Sequence, residues 1–149
     1  MQPVVNKAKA FWNVSIIIIF ILYLLYLFYL TLFSHLYGRG YFHRSMNLIP
    51  FRTIHQYLYE RYINKIVLIN LLGNIAAFVP MGCLLPLVLK KSAGILGTLL
   101  LAGGISLMIE VTQYIFGVGA ADIDDLLLNL AGGLSGYALY KLAGIIYKK

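Results

Sequence analysis

The sequence predicts an all-α membrane protein, with four transmembrane helices and a short interfacial helix between the first and second. Three observations carry that reading. Hydrophobic residues make up 61% of the chain and charged residues only 11%, with a mean hydropathy of +0.84, whereas a soluble domain carries about 25% charged residues. Apolar runs at about 11–33, 66–89, 93–116 and 123–147 each have the length needed to cross a bilayer as a helix. Only one connection between them is long, and part of it has a helical amphipathic pattern. At 149 residues the chain holds these elements and little else, so it reads as a single membrane domain.

The formal net charge of +7 does not point to nucleic acid. The twelve Lys and Arg residues sit at the ends of apolar segments and form no continuous basic stripe. They mark topology and, where they cluster, contact with anionic lipid. The single cysteine, Cys83, lies inside an apolar run, which leaves no intramolecular disulfide and no cysteine metal site. It reads as a packing residue.

The first span, 11–33, is an uncharged run of 23 residues preceded by Lys7 and Lys9. It is longer than the apolar core of a cleavable signal peptide, and Phe11 and Trp12 at its start suit the membrane interface. Tyr23, Tyr26 and Tyr29 recur every third residue, a stripe read here as packing. The long connection, 35–65, follows and holds His35, His43 and His55, whose spacing fits no metal site, together with the phrase NLIPFRT at residues 47–53. Pro50 biases Ile49 toward an extended conformation, so Asn47 and Arg52 belong to a fixed turn. From Ile54, the apolar Ile54, Leu58 and Tyr62 against His55, Gln56, Glu60 and Arg61 predict a short helix lying on the membrane surface.

The second span, 66–89, opens with Asn70 and Asn74 at i, i+4 spacing, two amides that seek partners across helices. Pro80 lies well inside it and is expected to kink it. Lys90, Lys91 and Ser92 then make a turn so short that the second and third spans must be antiparallel. The third span, 93–116, is rich in glycine and carries Ser106, Glu110 and Gln113 on one face near its far end. Glu110 is the deepest acid in the chain, and its position suits either a hydrogen-bonded structural acid or a general acid or base.

A five-residue turn, 117–121, leads into DIDDLLLN at residues 122–129, which opens the fourth span. Carboxylates at membrane depth cost about 2.5–3.5 kcal/mol each at mid-bilayer and mark functional sites by default. Asp122 is a good N-cap, with Asp125 three residues later as in a capping box. One capping acid needs no further role, but three acids with Asn129 a turn deeper exceed what capping requires. Asp122, Asp125 and Asn129 follow i, i+3, i+7 spacing, which places them on one helical face together with Gly132 and Gly136, and the two glycines form a close-packing seam.

With four spans, all these polar positions fall at one side of the membrane, within about two helical turns of the same interface at 1.5 Å per residue. They are expected to line a shared cavity built on a compact unit of the last three spans. Seven basic residues lie on the side of the termini (Lys7, Lys9, Lys90, Lys91, Lys141, Lys148, Lys149) and five on the other (Arg39, Arg44, Arg52, Arg61, Lys65). The positive-inside rule therefore puts the termini in the cytoplasm and the polar cluster outside, in a multi-pass protein of the cell membrane.

Four phrases, NLIPFRT, NLLGNIAAFVPMG (residues 70–82), SLMIEVTQ (residues 106–113) and DIDDLLLNLAGG (residues 122–133), occur in an order that resembles the VanZ-like family of bacterial membrane proteins, named for a teicoplanin-resistance protein. The resemblance covers nearly all of residues 10–145. Family members often carry an arginine three residues before the first Asp of the last phrase; here that position is Gly119, which leaves Arg52 as the candidate for a phosphate contact. The resemblance implies a link to reduced susceptibility to lipoglycopeptide antibiotics, and the family looks similar to membrane enzymes that exchange or remove lipid head groups.

The leading functional expectation is therefore phosphoester transfer or hydrolysis on the head group of a phospholipid or polyprenyl lipid. Arg52 would hold phosphate, Asn47, Asn70, Asn74, Gln113 and Asn129 would bind substrate, and Asp122, Asp125 or Glu110 would move the proton or activate the nucleophile. A divalent cation between Asp122 and Asp125 is an option that the sequence does not require, and no cofactor is identified. The second expectation is a non-catalytic protein that binds a lipid-linked cell-wall precursor or a lipid-anchored drug with the same residues. A transporter or channel is disfavoured, because the terminal half of each span lacks polar residues apart from Asn13 and Ser15.

Overall fold

A computed structural model describes residues 2–33, 45–59, 65–89 and 94–146. Five helices and two short strands follow in chain order: α1 (Gln2–Phe33), β1 (Met46–Asn47), α2 (Arg52–Tyr59), α3 (Lys65–Val88), α4 (Ile95–Phe116), β2 (Ala121–Asp122) and α5 (Ile123–Ile146). The expected turn at Lys90, Lys91 and Ser92, and the residues His35, His43, Glu60 and Arg61, lie outside the described residues.

Three helices are long and apolar enough to cross a membrane: α1 over Ala10–Phe33, α3 over Leu68–Val88 and α4 over Ile95–Phe116. The fifth helix matches them in length, with 24 residues, but its acids, tyrosines, Lys141 and small residues dilute its apolar character below theirs. Large apolar side chains along α1 and α4, such as Ile18, Leu22, Leu25, Leu100 and Leu107, are exposed, as suits surfaces solvated by lipid rather than water.

Helix α1 begins nine residues before the expected span. Helix α3 runs unbroken through Pro80 and Pro86. Near Pro80, whose ring disturbs the carbonyls one turn earlier, the Tyr23 hydroxyl donates to the Ala77 carbonyl at 2.7 Å and docks α1 on α3. Tyr23 thus packs as expected, while Tyr26 and Tyr29 are exposed. The buried apolar core, Leu27, Phe78, Met81, Ala102 and Ile109, sits where α1, α3 and α4 meet, with Leu130 of α5 against it.

Helix α5 is held by both α3 and α4. A Cβ at Gly132 would overlap the Ile75 carbonyl, one at Gly136 the Val79 carbonyl, and one at Gly82 the Gly133 carbonyl. The glycine seam therefore brings the α3 and α5 backbones into direct contact, as the spacing predicts. The matched positions rise together along both chains, so α3 and α5 run parallel. Helix α4 runs against them, since Ser106 meets Asn129 while Glu110, further along α4, meets Asp122.

Nothing in the sequence predicts a strand, yet β1 pairs with β2 in parallel, Met46 opposite Ala121 and Asn47 opposite Asp122. The Ala121 amide extends the pairing by donating to the Ser45 carbonyl at 3.0 Å. Two residues are too few to announce a strand by alternation. Their pairing ties the long connection to the turn before α5, the step that assembles the polar end.

Candidate functional site

The turn into α5 starts from a well-stopped α4. Gly117 takes the left-handed conformation (φ 65°), which a glycine adopts without strain. The Val118 amide reaches back to the Gln113 carbonyl at 3.0 Å, closing the helix end as in a Schellman motif. The chain then passes through β2 to Asp122, which caps α5 as predicted: its carboxylate accepts the Asp124 amide at 2.9 Å. The Asp122 amide in turn donates to Glu110 at 2.8 Å. Glu110, buried in α4, thus holds the start of α5.

The same Asp122 carboxylate holds the long connection. Asn47 donates to it at 2.9 Å and to the Thr53 hydroxyl at 3.1 Å, and Thr53 donates its own hydroxyl to Asp122. The Asn47 side-chain oxygen accepts the Ile49 amide at 3.2 Å, shaping the turn before Pro50.

Asp124, absent from the sequence-level candidates, is fully buried. One of its oxygens accepts the Phe51 amide; the other accepts the amides of Thr53 at 2.7 Å and Ile54 at 3.1 Å. The Thr53 and Ile54 amides are the ones that an N-cap side chain ordinarily satisfies. Phe51, at that cap position, has no acceptor side chain, so an aspartate from another helix caps α2. No signal for this existed in the sequence: a helix read from Ile54 has Thr53 before it as an ordinary N-cap, and only the observed start at Arg52 puts Phe51 at the cap and leaves the acceptor to come from elsewhere. Phe51 itself sits at φ 64°, a conformation costing a non-glycine residue about 1–2 kcal/mol, and the Asp124 bond to its amide helps hold it there. The resulting tip exposes Leu48, Ile49 and Phe51. Three large apolar side chains on a rigid turn belong in the bilayer interface rather than in water.

Asp122 lies before the helix as its cap, while Asp125 and Asn129 share one side of α5 and bond to different neighbouring helices. Asp125 is half-buried and accepts from Asn74 of α3 at 2.6 Å. Asn129, one turn further and about 40° round the helix at 3.6 residues per turn, faces α4 and donates to the buried Ser106 hydroxyl at 2.8 Å. The Asn129 side-chain carbonyl, also buried, has no partner among the described residues. Turning the amide over would exchange the two ends without satisfying both.

Two further candidates serve as fasteners. Asn70 donates to the Tyr57 hydroxyl at 3.1 Å, joining α2 to α3. Gln113 donates to the Thr31 carbonyl at 2.9 Å, one of the last carbonyls of α1 and so without a partner inside its own helix. Arg52 is exposed at the first position of α2. Among the described residues no group of three His, Cys, Asp or Glu side chains is arranged to hold a metal ion.

The candidates therefore gather at one end of the helices, where hydrogen bonds join them across α2, α3, α4 and α5. Comparison with known proteins bears on the motifs that form this mesh. The VanZ/LLP1 family profile matches residues 20–144, most of the chain. The chain belongs to the VanZ/LLP1 family. It is also 33% identical over 103 residues to Protein VanZ from Enterococcus faecium, a match covering 69% of this chain and 56% of that protein. The chain thus spans just over half the length of that VanZ relative. No solved structure matches it. Membership in VanZ/LLP1 and three bilayer-length apolar helices make this a membrane protein.

Proposed function

We propose that this protein acts on the head group of a phospholipid or polyprenyl-linked envelope precursor at the end of the helix bundle where Asp122, Asp125 and Arg52 lie. The observation that carries this reading is the buried, unpartnered carbonyl of Asn129 one turn beneath the half-buried Asp125. A buried acceptor left open costs about 1–3 kcal/mol, a cost that a substrate hydroxyl or water donating to it would offset. Arg52, exposed beside the apolar tip of Leu48, Ile49 and Phe51, is placed for a lipid phosphate at the interface and can grip it with two parallel hydrogen bonds.

In this reading Asp125, oriented by Asn74, takes the proton from an attacking hydroxyl or water. The oxygen of that nucleophile bonds to phosphorus as the P–O ester bond breaks, and the leaving oxygen keeps the bonding pair and takes the proton back from Asp125. Helix α5 is the fourth span: it runs parallel to α3 in direct backbone contact, and its polar residues face α3, α4 and the long connection. The termini are cytoplasmic, the polar end faces outward, and the family resemblance connects the activity to teicoplanin and related lipoglycopeptides.

The test is Asp125→Asn, which keeps shape and an acceptor oxygen but removes the charge. The variant should stay folded and lose turnover by about two to four orders of magnitude, the usual scale for an acid or base. Mass spectrometry of lipid extracts from cells expressing either form reads this out, with an altered head-group species expected only with the unsubstituted protein. Identical lipid profiles, with drug susceptibility changed equally by both, would leave the non-catalytic binder. One observation favours that second reading: all four carboxylate oxygens of Asp122 and Asp124 already accept hydrogen bonds from within the chain.

A further inference from the structure

The glycine contact between α3 and α5 ends at Gly136. Past it, α5 presents Tyr140 and then Gly144 at four-residue steps, while α3 presents Cys83 and Leu87. A tyrosine and a leucine cannot be accommodated at the separation that three glycines allow, so the two helices no longer meet at the backbone. A Cβ at Gly144 would find nothing within 4 Å, whereas one at Gly136 would overlap the Val79 carbonyl. Between them opens a groove of about 730 Å3, lined by Cys83, Leu87, Leu139, Tyr140 and Gly144, with Lys141 among its walls. That volume lies within the range of about 300–1,000 Å3 typical of ligand sites.

This groove is at the opposite end of α3 and α5 from the polar mesh, and the charged residue among its lining side chains is Lys141. Lys141 is exposed, its amine 5.5 Å from the centre of the Tyr137 ring. In the sequence, Lys90 and Lys91 follow α3, and Lys148 and Lys149 follow α5. Among the described residues the acids lie elsewhere: Glu110 in the distal half of α4, and Asp122, Asp124 and Asp125 at the start of α5. An apolar cleft between membrane helices admits an acyl chain, and a lysine with no acid beside it among the described lining residues selects the charge of the head group above it.

We propose that this groove binds an anionic phospholipid, with one acyl chain between α3 and α5 and the phosphate accepting from Lys141. The site is separate from the proposed head-group chemistry and does not depend on it. The probes are phosphatidylglycerol and phosphatidylcholine with identical acyl chains, offered to the full chain in detergent micelles and followed by native mass spectrometry. Phosphatidylglycerol should be retained about fivefold better, the preference expected of one lysine near an anionic head group, and Lys141→Gln should abolish that preference. Gly144→Leu places a side chain in the open space and should release both lipids. Equal retention of the two lipids by the unsubstituted protein, or undiminished retention by a folded Gly144→Leu, would overturn the proposal. A second measurement needs no variant: phosphatidylglycerol carrying a diazirine on its acyl chain should crosslink at Leu87, Leu139 or Ile145. Crosslinks spread evenly over α1 and α4 would show only a general lipid shell and would equally defeat it.

Discussion

Replacing Asp124 by asparagine tests the cap that one helix lends to another. The carboxylate is fully buried, with one oxygen on the Phe51 amide and the other on the amides of Thr53 and Ile54. Asparagine has one carbonyl oxygen, so its best rotamer keeps the two amides of Thr53 and Ile54 and turns its own NH2 toward Phe51. The Phe51 donor is then unsatisfied, at about 1–3 kcal/mol, and the two surviving bonds fall from charge-assisted to neutral strength, at about 1 kcal/mol each. The sum is about 3–5 kcal/mol. An eight-residue helix has little stability of its own, so the loss should appear as detachment of α2 and not as global unfolding. Hydrogen exchange measured by mass spectrometry on the segment 52–59 should accelerate by two orders of magnitude or more, taking about 1.4 kcal/mol per tenfold, with α3 and α4 unchanged. Adding Phe51→Gly, which tolerates the positive φ, should recover about 1–2 kcal/mol. Exchange of α2 as slow in Asp124→Asn as in the parent protein would refute the argument, and so would a Phe51→Gly substitution that worsens the Asp124→Asn defect.

Other substitutions probe the rest of the frame. Gly136→Ala forces the added methyl against the Val79 carbonyl and should cost about 1–3 kcal/mol or more as overpacking, whereas Gly104→Ala, which meets nothing, should cost nothing; thermal unfolding in detergent compares them. Gln113→Leu strips the Thr31 carbonyl of its donor and should loosen α1 by about 1–3 kcal/mol, visible as faster proteolysis at the end of α1 with the other helices protected. In cells, a reporter fused after Lys149 should be active only in the cytoplasm, and a cysteine placed in residues 41–45 should label only from outside; the reverse pattern would put the polar end inside the cell.

Much of this protein was legible in its sequence because the relevant physics is local. Apolar runs of bilayer length announced α1, α3 and α4. The small-residue spacing of Gly132 and Gly136 announced close helix packing, which needs only the absence of a side chain. Asp122 at the head of α5 announced its own cap. The polar phrases also fell at one end, because helix direction alternates across short turns.

The tertiary structure decided which of those polar groups meet. Successive helical residues point about 100° apart, so Asp124, Asp125 and Asn129 turn toward the long connection, α3 and α4 respectively. Spacing along one helix could not say which neighbour stands at each angle. The cap on α2 joins residues 73 apart, and the β1–β2 pairing joins residues 75 apart; neither leaves a periodic trace. The groove at Gly144 has the same origin: whether a glycine is a contact or an opening depends on the backbone that faces it, and that is a property of two helices rather than one.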